Sequence, residues 1–401
     1  MEIVHLRLEA CRVGPEDRVY AVVDELLHKP ELHLTDLFVR EDEPLVGSTV
    51  SGLVRFELED AYGLDYVPDR IQIESFLDTV FDSGWKERIK QRALDEGRRL
   101  AAEDWCRFNA HSYDAGRLGL AIRRHPPQPM TLDDIGAPPE LRTLAEEPRG
   151  LILFVGRTSA GKSTTQAAIV QHINARFSRH ILRVEDPLEI PIVGDKSLIT
   201  MRQVGVDVKS ADLAVHDALR QRPDIICVSE VRDAATAHAL FEAVDSGHLV
   251  LATVHGPNPV DSLARFLAYF GDAAPQRAQI LSQVLLGVVG QVRLPRRDRR
   301  GYRAFFELLA GGEPDSDARN LIGAMNWSHL KARLNSGELA NSTALSESLV
   351  EGVLSDEVYE EHALHAAFDP ASFVQMLTRA GRGDTRPPVR ANGNGLGATL
   401  R

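Results

Sequence analysis

LILFVGRTSAGKST, residues 151–164, decides the fold. An apolar run at 151–155 leads into Gly156, four variable residues, and then Gly161-Lys162-Ser163-Thr164. The spacing G-x-x-x-x-G-K-[ST] is that of a phosphate-binding loop. Each part has a physical task. A buried strand aims the loop, and glycines let backbone N–H groups turn inward as a nest for phosphate. The helix that begins near Lys162 adds the positive end of its dipole. Gly156, Thr158, Ser159, Ala160, Gly161, Lys162, Ser163 and Thr164 are therefore the candidate nucleotide-binding residues. Lys162 is placed to reach the β- and γ-phosphates of ATP, and the Ser163 hydroxyl to ligate Mg²⁺.

Working outward, residues 150–300 alternate apolar runs with helical stretches. LILFV, HILRVE, DIICVSE and HLVLATV read as strands, which predicts a mostly parallel α/β sheet covered by helices. Residues 1–125 mix strand-like text (STVSGLVRFELED) with a charged run, KERIKQRALDEGRRLAAED, that reads as helix. HPPQPM marks a linker, and 126–149 holds a lead-in helix with Thr131 as its cap. Residues 301–380 read as one strand (YRAFFELL) and then helices. The Gly/Pro/Asn/Arg-rich tail at 381–401 has no apolar period and is expected to be disordered.

The chain has 401 residues, 43% of them hydrophobic and 26% charged, as in ordinary globular proteins. A net charge of −12 argues against a general nucleic-acid surface, so no nucleic-acid partner is expected. Its three cysteines are widely spaced and match neither a zinc site nor a disulfide framework, which favours a reducing cytoplasm. Cys227, inside an apolar run, reads as core. With no signal pattern and no 18-residue apolar run, direct membrane insertion is not expected.

Three later segments supply what a phosphate loop lacks. Glu185-Asp186-Pro187-Leu188-Glu189 puts carboxylates at a strand end, able to hold metal-bound water or take a proton. The same text also suits a solvated acidic turn. Arg222-Pro223-Asp224 and the strand after it end in Glu230, the arrangement of an acid that binds hydrated Mg²⁺ or polarises water. In GHLVLATVH, His248 and His255 lie seven residues apart, on opposite faces of one strand. His255, at the C-terminal end, is the better sensor of a γ-phosphate. All four segments end strands where open α/β sheets place ligands.

Together, GRTSAGKST, EDPLE, RQRPDIICVSEVRD and GHLVLATVH resemble the four boxes of the secretion-superfamily ATPases, in their PilT-like twitching-motility branch. RQVGVD and LRTLAEEPRGLILFVG resemble that branch as well. The resemblance covers residues 30–370. It implies a homo-hexameric ring of two-domain subunits, each with an N-terminal PAS-like α+β domain and a RecA-like ATPase domain with a helical C-terminal region. It also implies arginines donated from the N-terminal domain to the nucleotide, matched here by Arg107, Arg117 and Arg123. Glu230, Glu185 and His255 are then the catalytic candidates, with Ser163 and Glu230 toward the metal; water activation is not apportioned between the two glutamates. The implied activity is Mg-dependent ATP hydrolysis that drives domain movement and powers a type IV pilus. A cytoplasmic location beside the inner membrane follows, held by a pilus or secretion platform protein. A DotB-like secretion or conjugation ATPase and a nucleotide-gated assembly factor are the other readings. The wording departs at Arg157, at Ser229 in place of glycine, at Gly256-Pro257-Asn258, and at 317–324. In that last segment only R-N-L-I of A-I-R-N-L-I-R-E survives, which weighs against a dedicated retraction role.

Overall fold

The computed structural model describes residues 2–7, 17–49, 52–59, 66–100, 105–125, 128–298, 301–313 and 316–381. The tail beyond 381, Cys11 and Pro126-Pro127 of the expected linker lie outside them. Two seven-stranded sheets organise the chain. The first contains β1 (Glu2–Arg7), β2 (Asp36–Arg40), β3 (Val46–Thr49), β4 (Gly52–Glu59), β5 (Leu94–Arg99), β6 (Trp105–Tyr113) and β7 (Arg117–His125). Their spatial order is β1-β4-β3-β2-β7-β6-β5. All pairings are antiparallel except β1 on β4.

Alternation explains how this sheet is used. Cys106, Phe108 and Ala110 of β6 and Leu118, Leu120 and Ile122 of β7 are buried on one face. Helices Arg18–Leu27 and Arg70–Val80 cover that face, contributing Val22, Val23, Phe76 and Leu77 to the same core. Burying a side chain of this size stabilises by about 1.5–3 kcal/mol. The opposite face carries Trp105, Arg107 and Arg123 and is turned to the rest of the chain.

The second sheet contains β8 (Gly150–Gly156), β9 (His180–Glu185), β10 (Leu198–Gln203), β11 (Ile225–Val228), β12 (Leu249–His255), β13 (Leu285–Pro295) and β14 (Tyr302–Ala310). The order is β10-β9-β11-β12-β8-β13-β14, parallel up to the antiparallel edge strand β14. Every residue of β8 and β11 is buried, as a sheet covered on both faces requires. Helices Lys162–Arg176, Ala234–Asp245 and Pro259–Ala268 pack against it, and helices between 317 and 379 complete the C-terminal region.

Two expectations need correction. Among the described residues the charged run is helical over Trp85–Gln91, and Leu94–Arg99 is β5. Glu96 there is buried in alternation with the strand and neutralised by Arg88 (2.7 Å) and Arg98, so its charge hides a core position. Thr131 caps no helix. Its hydroxyl and N–H close a turn on Asp134, and the helix starts at Pro139.

Candidate nucleotide site

The phosphate loop leaves β8 through Gly156 at φ 148° and enters its helix through Gly161 at φ 97°, both in the left-handed half of backbone space. Neither position has room for a Cβ. One on Gly156 would lie 2.6 Å from the Gln291 carbonyl oxygen, and one on Gly161 2.7 Å from Gln291 Nε2. Gln291, on β13, also accepts the Thr165 hydroxyl at 2.7 Å. It therefore backs the loop on three sides, a role the sequence reading missed. A glutamine in the middle of LLGVVGQVRLP was the available signal. Gln166 ties the loop's helix to the sheet, donating to the Leu251 carbonyl (3.1 Å) and the Val228 carbonyl (3.3 Å).

The Lys162 ammonium donates to the carbonyls of Gly156 and Arg157, each at 3.0 Å, and lies across the mouth of the loop. Burial lowers its pKa, opposed by the charges of Glu230 and Glu189. Those two carboxylates are thus the anions the lysine feels. Thr158 and Ser159 are exposed on the loop, Ser163 and Thr164 half-buried in the first helical turn, and Ala160 is buried beneath.

Glu230 follows β11 and makes polar contacts with two neighbours. Its Oε1 lies 2.9 Å from His255 Nε2, and its Oε2 2.8 Å from the Arg232 guanidinium. Arg232 also reaches Asp186 at 2.7 Å. One arginine therefore links the acidic segment after β9 to the acid after β11, and the histidine ending β12 completes the set. His248 is at the other end of β12, bonded to the Ala243 carbonyl at 2.9 Å, and plays no part here.

Glu185 is placed differently. Its side chain is 5% exposed and ion-paired with Arg183, itself 3% exposed. Its second oxygen accepts the Glu189 N–H at 3.0 Å. Burial raises its pKa against the pull of Arg183. The sequence left water activation and the metal's water shell unapportioned between Glu185 and Glu230; in the structure Glu185 is buried and braces the 186–189 loop. Glu189, the last carboxylate of that segment, is the one that pairs with Arg107 and acts on Lys162.

The first sheet's outer face meets this loop. Trp105 Nε1 donates to the Leu188 carbonyl at 2.9 Å, and the Gly97 N–H to Gln203 Oε1 at 3.1 Å. A Cβ on Gly97 would sit 2.0 Å from the Leu188 oxygen, so glycine permits the contact. Arg107 binds both Asp95 oxygens through its Nε and Nη2 (2.8 and 2.6 Å) and reaches Glu189 with Nη1 at 3.1 Å. Its bond to Asp95 raises its pKa further. Arg123 is directly across the ladder from Arg107 and pairs with Asp36 at 2.8 Å. Arg117 is at the far end of β7, six residues or about 20 Å away. It is held by the Glu41 carbonyl, by Glu43 at 3.4 Å and by the Tyr113 ring. Of the three arginines, only Arg107 touches the loops around Lys162.

A Mg²⁺ ion in such a site takes one or two protein oxygens and several waters beside the phosphates. The Ser163 hydroxyl at the helix start, with the Glu230 carboxylate near Lys162, is a donor set of that kind.

Residues 120–311 match the family model described as type II/IV secretion system protein. A twitching motility protein of Neisseria gonorrhoeae is 31% identical over 266 residues, covering 66% of this chain and 70% of that protein. The chain belongs to the PilT-like ATPases of the type II/IV secretion family. The crystal structure of the pilus retraction motor PilT with bound ADP superposes with a TM-score of 0.77 at 26% identity. That match covers 90% of this chain and 99% of the other. The Legionella pneumophila ATPase DotB shares the fold, with a TM-score of 0.72 at 18% identity over 90% and 98% of the two chains. Like its PilT-like relatives, this chain is an ATPase with a two-sheet α/β architecture. Among the described residues, no helix is long and apolar enough to cross a membrane.

Proposed function

We propose that this ATPase is a hexameric, Mg-dependent motor of a type IV pilus, of the retraction type, attached at the inner membrane to a platform protein. The observation that carries the reading is the convergence of Glu230, Glu189 and Arg107 on the loop that holds Lys162. The Arg107–Glu189 pair joins the two sheets there, beside the Trp105 and Gly97 hydrogen bonds.

The chain's own groups act as follows. Loop N–H groups and Lys162 hold the phosphates, and the lysine exchanges its two carbonyl partners for phosphate oxygens. Magnesium, when bound, neutralises developing charge on those phosphates. Glu230 orients the attacking water and accepts its proton. His255 and Arg232 fix the direction of that carboxylate, and His255 reads whether the γ-phosphate is present. Arg107 is the arginine best placed to leave Glu189 for phosphate, which a planar guanidinium favours. Exchange of an ion pair for a phosphate contact moves the first sheet relative to the second, and hydrolysis reverses it.

A secretion or conjugation load is the second reading, favoured by the segment at 317–324, where the charged pair of the retraction branch is replaced by Gly323-Ala324. The test is steady-state ATP hydrolysis and mass by light scattering, for wild type and Glu230→Gln. Mg-dependent turnover by a hexamer, lost in the variant with ATP binding kept, is expected. Tight ATP binding without turnover in wild type would replace the motor with a nucleotide-gated assembly factor.

A further inference from the structure

The segment that departs most from the retraction branch is not near the nucleotide. Helix Asp317–Gly323 packs on helix Ala274–Val284, and between them opens a cavity of about 530 Å³. Its lining is polar: Gln279, Gln283, Arg319 and Asn320, with Ser282 and Gly323 at its base. Gly323 leaves this space open. A Cβ there would press on both atoms of the Gln279 amide and on the Ser282 hydroxyl at 3.2–3.3 Å. The same amide donates to the Gly323 carbonyl at 2.8 Å.

Arg319 sets the chemistry. Its guanidinium donates to the Gly312 carbonyl (2.8 Å) and the Gln283 carbonyl (3.1 Å). Among the described residues no carboxylate pairs with it, although the neighbouring Asp317 is neutralised by Arg333 at 2.7 Å. In a chain of net charge −12, this is a local cation with no counter-anion among the described residues, beside the Gln283 amide, which can donate. Carbonyls fix the arginine's direction and leave its charge available, and guanidinium matches carboxylate geometry.

We propose that this cavity receives a carboxylate-bearing peptide segment of a partner protein. Its position ties the occupant to the ATPase centre. Helix Ala274–Val284 runs without a break into β13, which carries Gln291 behind Gly156 and Gly161. A partner that draws on this helix therefore pulls on the strand that shapes the phosphate loop.

The experiment uses the full chain with saturating Mg-ADP, so that the phosphate loop is filled. Fluorescein-labelled hexaglutamate and hexaglutamine are titrated by anisotropy against wild type, Arg319→Gln and Gln283→Glu. Saturable binding of hexaglutamate alone is expected, weakened at least tenfold in both variants, with basal ATP turnover within twofold of wild type. Gln283→Glu supplies the cavity with its own carboxylate, and the Gln283 side chain makes no hydrogen bond among the described residues. That variant alone decides if Arg319→Gln does not fold. Absence of saturable binding, equal binding of hexaglutamine, or unchanged affinity in a folded variant would overturn the proposal. Loss of ATP turnover in wild type with peptide binding intact would strike the motor reading and leave this one standing.

Discussion

Glu185→Gln separates a structural brace from a chemical group. Glu185 and Arg183 are 5% and 3% exposed, so neither charge has water to turn to when its partner is removed. Breaking a pair of this kind costs about 3–5 kcal/mol, because the survivor stays buried and uncompensated. Glutamine keeps an oxygen for the Glu189 N–H, which sets the expectation at the lower end, about 3 kcal/mol. For a domain of this size that is a fall in melting temperature of about 6–12 °C. The double variant Arg183→Met/Glu185→Gln removes the stranded charge and should regain most of the loss. Recovery stays incomplete because Arg183 also donates to the Ile190 carbonyl at 2.7 Å. The assay is thermal unfolding with ATP turnover measured on the same preparations. A single variant that melts with wild type and yet has no turnover would refute the argument. Glu185 would then act on the reacting water, and the brace would be incidental.

Two further outcomes follow from the geometry. Gly161→Ala puts a Cβ 2.7 Å from Gln291 Nε2 at φ 97°, and such strain costs about 1–2 kcal/mol; calorimetry should show ADP affinity down at least tenfold, and unchanged affinity would mean that Gln291 moves aside freely. Burial pushes the Glu307 carboxyl from 4.5 up to about 7, with Lys331 opposing and Asp261 assisting, while its oxygen accepts the Leu345 N–H at 3.0 Å. The folded state therefore binds this proton more tightly than the unfolded chain. Its contribution is complete below pH 4.5 and falls as pH rises to about 7, by roughly 3 kcal/mol. Glu307→Gln should flatten that part of the stability–pH curve and stabilise the protein at pH 8. A variant whose denaturant midpoint keeps the wild-type pH slope would contradict this.

The parallel sheet was readable because its strands are covered on both faces and so appear as unbroken apolar runs. β10 and β13 were less visible. LITMRQ mixes its polarity on an edge strand, and a buried glutamine interrupts β13. In the first sheet, Leu94–Arg99 read as helix because Glu96 is buried as an ion cluster, and periodicity counts hydrophobicity without seeing counter-charges. The loop, Glu230 and His255 stood out in the sequence because fixed spacings carry them. Gln291 and Arg232 were not singled out, because their tasks arise only when segments distant in sequence meet. The arginines show the same limit. Position along β7 separates Arg123 from Arg117 by the length of the strand, which text similarity does not register.

The two anchors between the sheets differ in their response to salt. The Arg107–Glu189 pair is about one-third exposed on each side and weakens as the Debye length falls to about 3 Å at 1 M. The Trp105 bond to the Leu188 carbonyl and the Gly97 bond to Gln203 join neutral groups, and ions in solution leave them nearly untouched. Salt therefore weakens the charged contact between the sheets and leaves the neutral ones beside it in place.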